Sequence, residues 1–101
     1  MSIPASASLR FGENLRKHRR RRGLTQERTG KLSGLHRTEI GKLESGDREP
    51  RLLTIVKLAA VLEVTPDTLL LGIDWLVVED YRPFGVVLID GRRVDQEQVS
   101  A

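Results

Sequence analysis

Gly34 divides the stretch from Thr25 to Gly46 into two short amphipathic halves, and this division restricts the chain more than any other feature. Thr25 offers a hydroxyl to a free backbone N–H, and Glu27 places a carboxylate in the first turn, where the positive helix end favours it. The spacing predicts a helix that starts at Thr25 and stops at Gly34, a residue that takes left-handed dihedrals at low cost. After Leu35 a second helix fits residues 37–45, because Ile40, Leu43 and the stem of Glu44 fall on one face at helical spacing. The opposite face carries Thr38, Gly41, Lys42 and Ser45, with His36 and Arg37 at its leading end. Everything else in the chain reads as support for this pair.

The supporting segments follow the same logic. A first helix is expected from Ser8 to Arg22, with Leu9 and Leu15 inward, Phe11 a further candidate, and a stop at Gly23. Leu24 should plug the core. The second helix carries Thr29 and Gly30, and an interior Gly costs roughly 0.5–1 kcal/mol relative to Ala. It is expected to be weak but present, its small residues letting the third helix come close. The fourth helix has the clearest apolar stripe, Leu52, Ile55, Val56, Leu58, Ala59 and Leu62. Thr65-Pro66-Asp67 marks a fifth start, combining a cap hydroxyl, Pro at the first helical position and an early carboxylate. Leu69, Leu70 and Leu71 should close the bundle. The expected fold is all-α: a five-helix bundle over residues 9–72, a flexible N-terminus over 1–8 and a C-terminal extension over 73–101.

At 101 residues the chain fits one domain with a modest core. It has no cysteine, hence no disulfide or Cys-based zinc site. No apolar run approaches the roughly 20 residues of a membrane span, and residues 1–8 lack the pattern of a signal peptide. No membrane association is therefore expected, and the expected location is cytoplasmic. His18 and His36 sit in basic surroundings, no serine has a base arranged around it, and the carboxylates show no metal-ligand spacing. No catalytic residue, metal or cofactor is expected.

Residues 1–51 hold 13 Lys/Arg against 6 Asp/Glu, whereas residues 52–101 hold 4 against 8. Two short helices at a tight Gly turn, set in a basic half, have the geometry of a helix-turn-helix with a second helix narrow enough for a major groove. Positive charge on that side is the footprint of phosphate neutralisation. If the second of the pair enters the groove by its leading end, His36, Arg37, Thr38 and Lys42 reach base edges. Gln26, Arg48 and Arg51 are candidate phosphate contacts, with Arg16, Lys17 and Arg20 as helpers. Glu39 either accepts from a cytosine amino group or pairs with Lys42, and the second reading is preferred.

Leu24-Thr25-Gln26, the Gly34-Leu35 turn, Ile40 with Leu43-Glu44-Ser45-Gly46, then Pro50, Leu58-Ala59 and Leu62 resemble the phage-repressor and Cro-like (XRE-type) DNA-binding domain over residues 9–72. The resemblance implies a sequence-specific regulator of double-stranded DNA, commonly a repressor. It implies base contacts at His36, Arg37, Thr38 and Lys42, a phosphate contact at Gln26, and an internal ion pair between Arg19 and Glu44. The chain departs from the family at His36, where Ser or Thr is common, and at Arg28, Thr29 and Gly30.

Beyond Gly72, residues 73–78 form one apolar run and residues 86–89 a second, ending at Asp90-Gly91, a hairpin turn signal. This predicts residues 86–89 paired with residues 92–94. A lone hairpin is marginal in water, so it pairs with a second copy, folds back on the helices or stays disordered. One short recognition helix covers few base pairs, so a homodimer is expected, with Trp75, Val77, Val86 and Leu88 as its candidate contacts. The alternative is an antitoxin or protein-interaction module whose extension binds a partner protein, a toxin or another regulator. The tail, residues 95–101, is expected to be loose.

Overall fold

The computed structural model describes residues 5–78 and 85–94; the expected loose tail and residues 1–4 of the expected flexible N-terminus lie outside the described residues. Five helices precede three strands: α1 (Ala5–Arg21), α2 (Gln26–Ser33), α3 (Arg37–Ser45), α4 (Leu52–Leu62), α5 (Pro66–Leu69), β1 (Ile73–Val77), β2 (Gly85–Ile89) and β3 (Arg92–Arg93). The core gathers Phe11, Leu15, Ile40, Leu43, Leu58, Ala59, Leu62 and Leu69, with Leu24, Leu35, Ile55, Val64 and Ile73 packed against it. No helix among the described residues is long and apolar enough to cross a membrane.

Helix α1 starts three residues earlier than expected, so residues 5–7 are helical instead of frayed and Ser8 is buried. Leu9, expected inward, is about half exposed while Phe11 and Leu15 are buried. At 100° per residue Leu9 lies about 160° round the helix from Phe11. Asn14 crosses to the end of α5, donating from Nδ2 to the carbonyls of Leu69 and Leu71 at 3.0 Å each. The Leu69 carbonyl ends a helix too short to satisfy it itself, and Leu71 lies two residues beyond.

Helix α2 is short but closed at both ends. Thr25 Oγ1 accepts from the N–H of Arg28 at 2.9 Å, and Gly34 takes φ 77° with its N–H donating to Gly30 O. Buried Thr29 and Ser33 satisfy their hydroxyls by donating back to the carbonyls of Thr25 and Thr29, at 2.9 and 2.7 Å. Two glycines set how closely the helices meet. A Cβ on Gly30 would stand 2.5 Å from Leu35 O, and one on Gly12 would stand 2.4 Å from Glu44 O. Both distances are far inside van der Waals contact, so α2 sits on the turn into α3, and α1 sits on the end of α3, only because these side chains are absent.

On α4 the expected stripe is corrected. Ile55, Leu58, Ala59 and Leu62 fall within about 100° of one another at helical spacing and face the core. Leu52 and Val56 lie past the edge of that arc and are 81% and 45% exposed. The bundle is closed by Leu69 alone, since Leu70 and Leu71 are exposed. Thr65 does not cap α5 through its side chain; its hydroxyl pairs with that of Thr68 at 3.0 Å.

The expected hairpin is part of a three-stranded antiparallel sheet in the order β1-β2-β3. Leu88 and Ile89 pair with Arg93 and Arg92 as expected, but all of β2 pairs with β1, from Ile73↔Ile89 to Val77↔Gly85. Asp90 and Gly91 have φ of 54° and 79°, the pair of positive values a two-residue type I′ turn needs. The sheet folds back on α1: Asp90 donates its N–H to Gly72 O at 2.8 Å, and Arg10 holds both Asp90 carboxylate oxygens at 2.6 Å. The hydrogen bond from Arg10 keeps the Asp90 carboxyl below its ordinary 3.8.

Replacing an interior helical Gly by Ala ordinarily stabilises a helix. Gly30→Ala should do the opposite, because the methyl meets the Leu35 carbonyl, and overpacking of this kind costs about 1–3 kcal/mol. Thermal unfolding followed by circular dichroism should show a lower midpoint; a raised one would mean that α2 and α3 are not in this contact.

Candidate nucleic-acid interface

Helix α3 is nine residues long and held on one side only. Ile40, Leu43 and Glu44 are buried, whereas Thr38, Lys42 and Ser45 are exposed on the other side and Arg37 is exposed at the leading end. Its start is capped by His36, whose Nδ1 accepts from the Thr38 N–H at 3.1 Å and lies 2.9 Å from the Thr38 hydroxyl. An imidazole nitrogen thus does the work of the hydroxyl usual at such a start. Because Nδ1 accepts, the proton is assigned to Nε2, which is the atom His36 has left for an outside partner. The end is closed by Gly46, whose N–H donates to the carbonyls of Leu43 and Lys42.

Behind the helix stands a buried carboxylate. Arg19 Nε and Nη2 donate to Glu44 Oε2 and Oε1 at 2.5 and 3.1 Å, Gln26 Nε2 donates to Oε1 at 3.0 Å, and Arg16 Nε to Oε1 at 3.3 Å. A further bond, Arg19 Nη1 to Leu24 O at 2.8 Å, ties the same guanidinium to the segment before α2. Burial alone would raise the Glu44 carboxyl; the hydrogen bonds from Arg19 and Gln26, the charge of Arg19 and the bond from Arg16 outweigh it, and the net effect is below the ordinary 4.5. The pair is thus a four-residue cluster joining α1, α2 and α3.

Two of the expected phosphate contacts take part in this cluster. Gln26 is half-buried with its amide spent on Glu44, and Arg16 also leans inward to that carboxylate. Lys17, Arg20 and Arg51 are exposed. Arg48 is exposed but held, donating from Nη1 to Glu39 Oε1 at 2.9 Å. This also corrects the expected partner of Glu39, which is Arg48 across the loop and not Lys42. Nine residues and a turn separate the two, a spacing that no helical or strand period marks. His18 is half-buried, and burial followed by the charges of Arg21 and Lys17 keeps its pKa below the usual value. Among the described residues no three His, Asp or Glu side chains gather as a metal site requires.

Of the four candidate dimer contacts, Val86 is fully buried within the chain and Leu88 is half-buried, since β2 is the central strand. Trp75 and Val77, on the edge strand β1, are 51% and 68% exposed.

A bundle that fixes one polar helix outward beside a basic surface defines a DNA-binding helix-turn-helix domain. The family model described as Helix-turn-helix matches residues 15–69, more than half of the chain, and the chain belongs to that family. It is 44% identical over 62 residues to the SPbeta prophage-derived uncharacterized HTH-type transcriptional regulator YonR of Bacillus subtilis, a match covering 61% of this chain and 57% of that relative. Among solved structures, the restriction-modification controller protein C.AhdI from Aeromonas hydrophila superposes with a TM-score of 0.62 at 41% identity, over 63% of this chain and 97% of that one. The P22 c2 repressor, solved in complex with a synthetic operator, superposes with a TM-score of 0.58 at 31% identity, over 61% and 94%.

Glu44 is depressed in the folded chain, so its contribution to stability is complete above the unfolded value near 4.5 and is lost as pH falls through the lower folded value. Acid unfolding should therefore begin below about pH 4.5 in the wild type. Glu44→Ala leaves Arg19 buried without its partner and should cost about 3–5 kcal/mol at pH 7. Urea titrations of both proteins at pH 7 and pH 3 check this: the difference between them should shrink at the lower pH.

Proposed function

We propose that this chain is a sequence-specific double-stranded DNA-binding transcriptional regulator that represses by occupying its operator as a homodimer. The observation that carries the reading is α3: apolar residues and Glu44 fix one face, Thr38 and Lys42 stand exposed on the other, and Arg37 is exposed at the leading end. Arg37 is suited to guanine O6 and N7, and the Thr38 methyl to thymine, its hydroxyl being engaged with His36. Lys42 lies one turn on, where a guanine or a phosphate is in reach. His36 is left Nε2–H as a donor. Arg51, Lys17 and Arg20 supply phosphate contacts, joined by Arg48 when it leaves Glu39. That the P22 c2 repressor was solved in complex with a synthetic operator supports the DNA-binding reading.

A dimer is supported by the apolar side chains left outside the core, Trp75, Leu76 and Val77 on the open edge of the sheet and Leu52, Leu53 and Val56 on α4. Edge strands of this kind recruit a neighbour. A second reading, an antitoxin or interaction module, rests on the same edge strand receiving a different protein; co-purification of a small partner with the native protein separates the two.

Selection of bound sequences from random duplexes should return a palindrome with half-sites about 10 base pairs apart. Arg37→Ala should then lose about 1–3 kcal/mol of discrimination at one symmetric position. Selection that yields no consensus would overturn sequence-specific recognition. For the dimer, Val77→Lys is the cleaner variant, because the Trp75 ring covers Gly85 within the sheet. Sedimentation equilibrium should show a weakened dimer; an unchanged one would place the interface away from β1.

A further inference from the structure

The Glu39–Arg48 pair occupies a cleft between α3 and the start of α4, lined by Leu35, Glu39, Arg48, Glu49, Arg51 and Thr54. Glu39 is the third residue of α3, on the flank between the buried face and the face of Thr38 and Lys42. Arg48 lies just past the end of α3, where a duplex seated on that helix would present its backbone. Both side chains are partly exposed, 30% and 45%, and ion pairs of that exposure are weak and readily exchanged. A carboxylate and a phosphate offer a guanidinium the same kind of acceptor, so Glu39 and the DNA backbone compete for Arg48.

We propose that Glu39 is a specificity-determining residue that withholds Arg48 from the backbone until a cytosine lies opposite it in the groove. This rests on the DNA-binding reading above. The reasoning is electrostatic. On a duplex that presents guanine O6 and N7 or thymine O4 at this position, the Glu39 carboxylate faces acceptors and keeps Arg48 as its partner. The cytosine N4 amino group is a donor, which satisfies the carboxylate and frees Arg48 for a phosphate; adenine also carries a donor, N6, but sets the N7 acceptor beside it, so cytosine is the base the carboxylate prefers. Base reading and phosphate contact are thereby coupled through one side chain, and unspecific duplex is denied one cation. Arg51 lines the same cleft but carries no such bond to Glu39 among the described residues, so the restraint falls on Arg48.

Fluorescence-anisotropy titrations with a random-sequence duplex and with the selected operator, across a salt series, test the coupling. Glu39→Gln should bind the random duplex roughly five- to tenfold more tightly at 0.1 M salt, with the slope of log K against log salt steeper by about 0.9, the share of one added phosphate contact. Operator affinity should change little, so the specificity ratio falls by about fivefold or more and the cytosine preference weakens. The double variant Glu39→Gln/Arg48→Gln should lose the gain. A random-duplex affinity that is unchanged or lower in Glu39→Gln, or a gain that survives without Arg48, would overturn the proposal. Should Glu39→Gln not fold, as judged by circular dichroism, Arg48→Gln alone decides: weaker operator binding with unaltered random-duplex binding supports the coupling, and equal loss on both refutes it. Wild-type protein that binds no duplex at low salt removes the DNA-binding reading itself, whereas wild-type binding without the Glu39→Gln gain removes only this coupling.

Discussion

A carboxylate taken out of water must be met by donors from the protein, and Glu44 of α3 is met by three side chains from two other helices. Arg19 and Arg16 reach it from α1, and Gln26 reaches it from the first residue of α2. The approach of α1 depends on Gly12, whose missing side chain lets the helix rest on the carbonyls of Leu43 and Glu44. Backbone contact midway along α1 and ion pairing one to two turns further on therefore fix a single orientation of α3. A buried pair of this kind is not in itself a large source of stability compared with apolar packing. What it supplies here is direction, because hydrogen bonds to one carboxylate are satisfied in few arrangements of three helices.

The consequence appears on the far side of α3. Helices of eight and nine residues are marginal by themselves, and their order comes from tertiary contact. With Ile40, Leu43 and Glu44 held from behind, Arg37, Thr38 and Lys42 have nowhere to go but outward. The imidazole cap of His36 adds a local constraint, since it anchors Thr38 to the residue before the helix. The same scaffold brings Gln26 and Arg16 to Glu44 and Arg48 to Glu39, so part of the basic surface of the first half is engaged within the chain.

The sheet solves a different problem. β1 and β3 are its edges, and β2, with buried Val86 and Val87, is its protected centre. The clasp of Arg10 on Asp90 and the bond from Asp90 to Gly72 fasten the turn to the bundle. Apolar side chains that this packing leaves outside, on β1 and along one side of α4, are surfaces the helical core does not use.

Periodicity along the chain determined the number and order of the helices, the turn at Gly34, the inward set Ile40, Leu43, Leu58, Ala59 and Leu62, and the outward residues of α3. The Asp90-Gly91 turn was legible too, because type I′ geometry is a two-residue property. These are local facts: which side of a helix is apolar, and where a chain reverses, follow from neighbours a few residues away. Only the tertiary structure decided the rest. It turned Leu52 and Val56 outward, fastened the turn of the extension to α1 through Asp90 and Arg10, brought Gln26 and Arg16 to Glu44, and paired Glu39 with Arg48. Each of these depends on which elements meet in space, and the meeting is set by close approach at Gly12 and Gly30 and by a shared buried carboxylate, none of which has a period to read.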